Sequence, residues 1–193
     1  PVSAFGGVVA CNFKINKNLA IDLNKLFLEV IIANGYDKNA LKILKKKKNL
    51  RLIDATNYSL KKVLKFTSLN EEILLQSEDF KIFGNKDFKV VSKRKPSSKQ
   101  LKNLIFAFNV CRYVKSNAIV LTSNETTVGI GSGQPSRLDS CQIAIEKMKK
   151  FNLTSEDLVA ASDAFFPFID GIEKLVQAGV RAVIQPYGSI RDK

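Results

Sequence analysis

Apolar residues recur along the chain at two spacings, and the spacings alternate. Val8-Val9-Ala10, after the glycine turn Phe5-Gly6-Gly7, is a short continuous run of the kind a buried strand makes. Leu23, Leu26, Phe27 and Val30 fall three and four residues apart and predict a helix over 21–30, with a strand at Ile31-Ile32-Ala33 and a turn at Asn34-Gly35. Asp37 is placed to cap a second helix carrying Leu41, Ile43 and Leu44. That helix runs into Lys45-Lys46-Lys47-Lys48 in its last turn, where cations suit the helix dipole. A short strand follows at 50–53. The stretch beyond it is less regular, with Ile73-Leu74-Leu75 and Val90-Val91 as its strand-like runs.

Ser92-Lys93-Arg94-Lys95-Pro96-Ser97-Ser98 has the turn and charge content of a linker, so the chain is expected to divide into 1–95 and 96–193. Ser97 or Ser98 can cap the helix that follows, whose inward face is Leu101, Leu104, Ile105, Phe108 and Cys111. A strand at Ala118-Ile119-Val120-Leu121 leads into a hairpin through 124–128. A helix over 137–150 follows, with Leu138, Cys141, Ile145 and Met148 inward. Strands at 158–161 and 182–184 flank a helix over 172–178 that closes on Gly179. Helices alternating with short apolar strands predict an α/β layered fold around a central sheet.

Composition narrows what such a fold can do. At 193 residues and 45% hydrophobic content the chain can bury a core of ordinary size, as one large domain or two small lobes. No apolar run approaches the roughly 18 residues of a membrane span and no export leader opens the sequence, so a soluble, cytosolic protein is expected. Cys11, Cys111 and Cys141 are odd in number, far apart and set among apolar residues, which speaks against a disulfide framework or a thiolate metal site. The formal charge of +13 attracts anions, from phosphorylated metabolites to nucleic acid. Aromatics are not interleaved with the basic residues as a single-strand binder would want, and the lysine run reads as a solvated helix end. There is no histidine, which excludes an imidazole base, a histidine triad or a histidine-ligated metal within these residues.

Four segments place glycine, polar or aromatic residues at strand ends, where open α/β folds build sites. Phe5-Gly6-Gly7 allows close backbone approach of a ligand, or is a tight turn. The loop 129–137, Gly-Ile-Gly-Ser-Gly-Gln-Pro-Ser-Arg, can offer backbone N–H groups and the Arg137 guanidinium to an anion, or is a glycine-bearing strand entering a helix capped by Ser136. It is neither a dinucleotide fingerprint nor a P-loop. Lys115-Ser116-Asn117 brings a side-chain amide that orients a ligand or closes a turn. In 162–170, three phenylalanines around Pro167 can stack on a flat heterocycle, with Asp170 accepting from its ring N–H groups.

Taken together, segments 1–7, 29–36 (Glu-Val-Ile-Ile-Ala-Asn-Gly-Tyr), 114–120, 129–137, 162–168 and 188–192 resemble, in order, the formyltransferase domain of the bifunctional aminoimidazole carboxamide ribonucleotide (AICAR) formyltransferase/IMP cyclohydrolase. The resemblance implies formyl transfer from 10-formyltetrahydrofolate to the exocyclic amine of AICAR, in a cytoplasmic homodimer with sites at the subunit interface. It implies zinc-free lobes of the cytidine deaminase kind: the end of the first within 1–95 and most of the second within 96–193. It implies that Phe5 and Gly6 line the nucleotide pocket and Glu29 faces the ribose. Asn117 would orient the amine and the formyl group, Arg137 and Leu138 would sit at the carboxamide and folate side, Phe165 would pack on the reacting rings, and Asp170 would read the pterin. Ser116 and Asp163 would lie near a monovalent cation, potassium in some members.

Three departures from the family pattern shape the expectation about activity. The Lys-His pair that supplies the family's base lies upstream of Pro1, the terminal stretch with a phosphate-binding arginine lies beyond Lys193, and Tyr187 stands where a small residue is usual. The cyclohydrolase domain is not represented. The chain is therefore expected to be a fragment, inactive by itself, with weak folate or nucleotide binding. The competing expectation is a non-catalytic module that binds a nucleotide, folate or nucleic acid through its positive surface.

Overall fold

The structure is a computed structural model that describes residues 5–59, 64–151 and 157–190. Of the resemblance segments, 1–4 and 191–192 lie outside the described residues. Two compact units divide between Asp79 and Phe80.

In the first unit, β1 (Gly7–Cys11), α1 (Lys17–Asn24), β2 (Leu28–Ala33), α2 (Lys38–Leu44) and β3 (Arg51–Asp54) form two consecutive strand-helix-strand crossovers. The three strands are parallel, in the order β1-β2-β3. Val9, Cys11, Ile31, Ala33 and Leu52 point to the side where Ala20, Leu23, Ala40 and Leu44 of the helices form the core. Val8, Ala10 and Ile53 point the other way and are exposed. Asn16 caps α1, and Asp37 caps α2 while also accepting from the N–H of Lys17, so one carboxylate ties the starts of both helices together.

The helix expected over 21–30 ends at Asn24, and the lysine run begins at the cap of α2 instead of filling its last turn. The three- and four-residue spacing continues through Leu26, Phe27 and Val30, but Val30 is claimed on both sides by ladders, opposite Val8 and Arg51. Pairing on both sides outweighs a local period, because each ladder satisfies backbone groups that a longer helix would satisfy only once. An antiparallel hairpin, β4 (Leu64–Leu69) and β5 (Glu72–Ser77), completes the unit.

The second unit is a three-layer sandwich. Its strands are β6 (Ile119–Ser123), β7 (Thr126–Gly131), β8 (Val159–Ser162) and β9 (Ala182–Ile184), in the order β7-β6-β8-β9. On one face α3 (Ser98–Cys111) sets Ala107 and Cys111 against Val120 and Ala161. On the other, α4 (Arg137–Lys150) and α5 (Asp170–Gln177) set Cys141, Ala144, Met148 and Leu175 against Ile119, Leu121 and Ala160. Ser97 caps α3 in a reciprocal capping box with Gln100.

The division falls upstream of the Pro96 boundary expected from composition. Phe83 and Phe88 pack edge-on against Phe108 of α3 at 5.0 and 5.3 Å, and the Asn109 side chain pairs with both backbone groups of Phe83. This segment is therefore part of the second unit's wall. Val90 and Val91 form no strand, and both are exposed.

Candidate functional site

Strand register brings three of the candidate segments to one end of the second sheet. Ile119, the first residue of β6, lies opposite both Gly131, the last of β7, and Ser162, the last of β8. The segments before β6, after β7 and after β8 must therefore emerge together, although 162 is far from 119 in sequence.

A continuous polar network joins them. Arg137, the first residue of α4, donates from Nη1 to Ser162 Oγ at 2.8 Å and to Asp163 Oδ1 at 2.5 Å, and from Nη2 to Asn117 Oδ1 at 2.7 Å. Asn117 Nδ2 donates to the carbonyls of Gln134 and Pro135, both at 2.9 Å. Asp163 also accepts from the Ala118 N–H and from the Ser116 hydroxyl. Ser140 Oγ donates to the Asn117 carbonyl from one turn into α4. The Arg137 and Asp163 side chains are only 13% and 14% exposed, so their charges compensate each other in a poorly hydrated place. Burial by itself would raise the Asp163 pKa; hydrogen bonds from Ser116, Arg137 and Ala118 and the Arg137 charge outweigh it and hold the carboxyl below its ordinary value.

The glycines of 129–137 do something other than cradle an anion. A Cβ on Gly129 would stand 2.1 Å from the Ala144 carbonyl oxygen, and one on Gly131 would stand 1.9 Å from that of Ser140. Both glycines let β7 lie directly on the backbone of α4. Gly133 alone takes a turn conformation, with φ +70° and open space around it.

The phenylalanines divide in the same way. Phe166 is buried in the core under α4, with its ring 6.0 Å from the Arg137 guanidinium, and its N–H donates to Gln185. Phe165 and Phe168 are exposed, so the aromatic surface offered by this loop is smaller than three rings. Phe165 lies 3.4 Å from where a Cβ on Gly188 would stand. Asp170 opens α5 and accepts from the N–H of Gly171. Leu138 follows Arg137 on α4 and is half-buried. Tyr187 is exposed.

In the first unit, Phe5 stacks against Phe27 with ring centroids 4.5 Å apart, and both are exposed. Gly6 has φ +73°, and a Cβ there would stand 2.6 Å from Glu29 Oε2, so the glycine leaves room for that carboxylate. Phe5, Gly6 and Glu29 thus form one cluster at the start of β1 and β2.

Ser162, the first residue of the 162–170 segment, and Ser140 carry no assigned role in the sequence, yet they anchor Arg137 and Asn117. Their signal was a hydroxyl at a wholly buried position: Ser162 ends an apolar strand, and Ser140 lies on the inward side of α4 beside Cys141. The buried thiols are no nucleophiles, since burial pushes Cys111 up to about 12 and Cys141 up to about 11. Among the described residues no group of three or more Cys, Asp or Glu is placed to hold a metal, and no helix is long and apolar enough to cross a membrane.

Known proteins resemble the chain over its whole length. The family described as AICARFT/IMPCHase bienzyme matches residues 1–147. The bifunctional purine biosynthesis protein PurH of Fusobacterium nucleatum is 49% identical over 195 residues, covering 100% of this chain and 38% of its own length. The PurH proteins of Aquifex aeolicus and Persephonella marina are 45% and 44% identical, again over 100% of this chain and 37% of theirs. The chain thus spans little more than a third of the length of these curated relatives.

Proposed function

The chain belongs to the AICARFT/IMPCHase bienzyme family, and from that premise we propose that it carries part of the site that transfers a formyl group from 10-formyltetrahydrofolate to the amine of AICAR. The observation that carries the reading is the Asn117–Arg137–Asp163 network, in which three segments distant in sequence each bring one polar side chain to the same sheet end.

The AICAR amine is conjugated to an imidazole carboxamide and attacks poorly, so transfer requires removal of its proton and stabilisation of a tetrahedral oxyanion. Both Nδ2 hydrogens of Asn117 are committed to the Gln134 and Pro135 carbonyls. What the amide retains is the second lone pair of Oδ1, which suits an N–H of the attacking amine better than the formyl oxygen. Arg137 and Leu138 would face the carboxamide and folate, Phe165 would cover the reacting rings, Asp170 would take the pterin N–H groups, and Phe5, Gly6 and Glu29 would hold the nucleotide.

Ser116 Oγ and Asp163 Oδ2 are hard oxygen donors in mutual contact, and their chemistry fits a monovalent cation such as potassium. These two residues would hold it, and its charge would offset the carboxylate there. The active unit in this reading is a cytoplasmic homodimer of lobes of the cytidine deaminase kind.

No imidazole is present among the 193 residues, so the base must come from outside them and these residues alone should transfer no formyl group. Loss of a general base costs about 10²- to 10⁴-fold, and loss of oxyanion stabilisation adds a comparable factor. Formyl transfer should therefore run roughly 10⁴-fold or more below a complete bifunctional relative, while calorimetry with a folate analogue still detects weak binding that Phe165→Ala weakens further. Turnover within about tenfold of the relative would overturn the assignment of the base. A folate analogue that binds the chain and its Phe165→Ala variant equally would overturn the assignment of the ring site.

A further inference from the structure

Ser162 stands between Arg137 and Phe165, two of the residues that the reading above places at the folate. It is wholly buried at the end of β8, and its hydroxyl makes two bonds of opposite sense. Arg137 Nη1 donates to Ser162 Oγ at 2.8 Å, and Ser162 Oγ donates to the Ala164 carbonyl at 2.7 Å. A guanidinium only donates and a carbonyl only accepts, so the hydroxyl has one orientation available to it.

Each bond sets something that the neighbouring contacts leave free. Arg137 Nη1 also reaches Asp163 Oδ1, and Nη2 reaches Asn117 Oδ1. Those two contacts define a line about which a planar guanidinium can still tilt. The two hydrogens of Nη1 diverge, so Ser162 accepts off that line and fixes the plane. On its other side, the Ala164 carbonyl belongs to the peptide that enters Phe165, and the Phe166 N–H, which donates to Gln185 at 2.9 Å, belongs to the peptide that leaves it. The Phe165 backbone is clamped before and after, while its ring stays 38% exposed.

We propose that Ser162 is a positioning residue: its one hydroxyl fixes both the plane of the Arg137 guanidinium and the peptide that carries Phe165, so that cation and ring meet the folate as one pre-set unit. Ser162 acts through those two residues and touches no substrate. Groups ordered before the ligand arrives need not be ordered by it, which is how a buried hydroxyl away from the ligand adds affinity. Asp163 cannot take over, because a carboxylate accepts from Arg137 but has no proton to give the Ala164 carbonyl. The ligand named here rests on the folate reading above, whereas the positioning rests on the hydrogen bonds alone, and the two are read separately.

In the 193-residue chain, nitrogen NMR of the Arg137 guanidinium, identified by its loss in Arg137→Lys, should show separate Nη signals in the parent and a merged, rotating pair in Ser162→Ala. The Phe165 amide order parameter should fall from about 0.85 to below about 0.6, while Phe166, tied to Gln185, stays rigid. By calorimetry, Ser162→Ala should raise the dissociation constant for a folate analogue about tenfold, and by about threefold or less in a Phe165→Ala background, where only Arg137 is left to position. Ser162→Cys keeps the volume with weaker hydrogen bonding and carries the same test if the alanine variant does not fold. Separate Nη signals and a rigid Phe165 in the folded variant would refute the proposal. So would a tenfold loss that persists undiminished without the Phe165 ring. A parent chain that binds no folate analogue would sink the folate reading and the ligand named here, while the spectra still decide whether Ser162 positions Arg137 and Phe165.

Discussion

The two units use the same alternation of strand and helix but enclose their sheets differently. In the second unit, no residue of β6 or β8 is exposed, because α3 covers one face and α4 with α5 covers the other. In the first, α1 and α2 lie on one face only, leaving Val8, Ala10 and Ile53 open to solvent, while the hairpin is exposed throughout. The strand sequences do not announce this difference: Val8-Val9-Ala10 and Ile31-Ile32-Ala33 are as continuously apolar as Ala118-Ile119-Val120-Leu121. Parallel strands written this way normally have both faces covered. An apolar run therefore states that a strand is suited to burial, and only packing shows which side is buried and by what.

If enclosure on both faces is what fixes the second unit, intruding on its helix-sheet contact should have the largest effect. Gly131→Ala drives a methyl group into the Ser140 carbonyl, and urea unfolding should show a loss of about 3 kcal/mol or more. Gly133→Ala, two residues on, meets only the left-handed backbone and should cost about 1 kcal/mol. Equal losses would mean that β7 and α4 are not in contact as described.

The polar end of the same sheet sharpens the comparison next. Asp163→Asn should cost about 1–2 kcal/mol at neutral pH, because Arg137 loses its charged partner in a poorly hydrated place. The sign of the pH dependence follows from the depressed folded pKa. The Asp163 contribution is fully present above the unfolded carboxyl value of about 3.9 and is lost as pH falls from there through the folded value. Denaturant titrations from pH 6 downward should thus show a shallower acid decline in Asp163→Asn than in the parent chain. Parallel declines would show that Asp163 titrates as it does in the unfolded chain.

The smallest effect is expected in the first unit, where local capping matters relatively more. Asp37→Ala removes the acceptor for Ala40 and Lys17 together and should destabilise that unit by about 1 kcal/mol, read from amide exchange of α1 and α2. Faster exchange confined to α2 would show that the bond to Lys17 contributes nothing.

Much of this architecture is legible in the chain itself. Ser97 with Gln100, Asp37, and the Asn124 turn are short-range chemistry, and the corresponding elements lie where that chemistry puts them. The helix over 137–150 was readable to the residue because its apolar period and its Ser136 cap agree. The candidate site was legible as a set of segments and not as a geometry. The loop around Gly131 looks in sequence like a ligand cradle, yet Gly129 and Gly131 are required by two carbonyls of α4, those of Ala144 and Ser140, which the chain supplies only later.

What the sequence determined by itself was therefore local: where helices start, which strands are apolar, and that no imidazole stands among these residues. Tertiary structure decided the rest. It ended α1 at Asn24 because β2 is paired on both sides, and it drew the unit boundary at Asp79 because Phe83 and Phe88 needed Phe108. It gave Asn117, Arg137 and Asp163 their partners because antiparallel register brings the ends of β6, β7 and β8 to one place. Those decisions rest on contacts between residues far apart in the chain, and a local pattern cannot encode a distance it does not span.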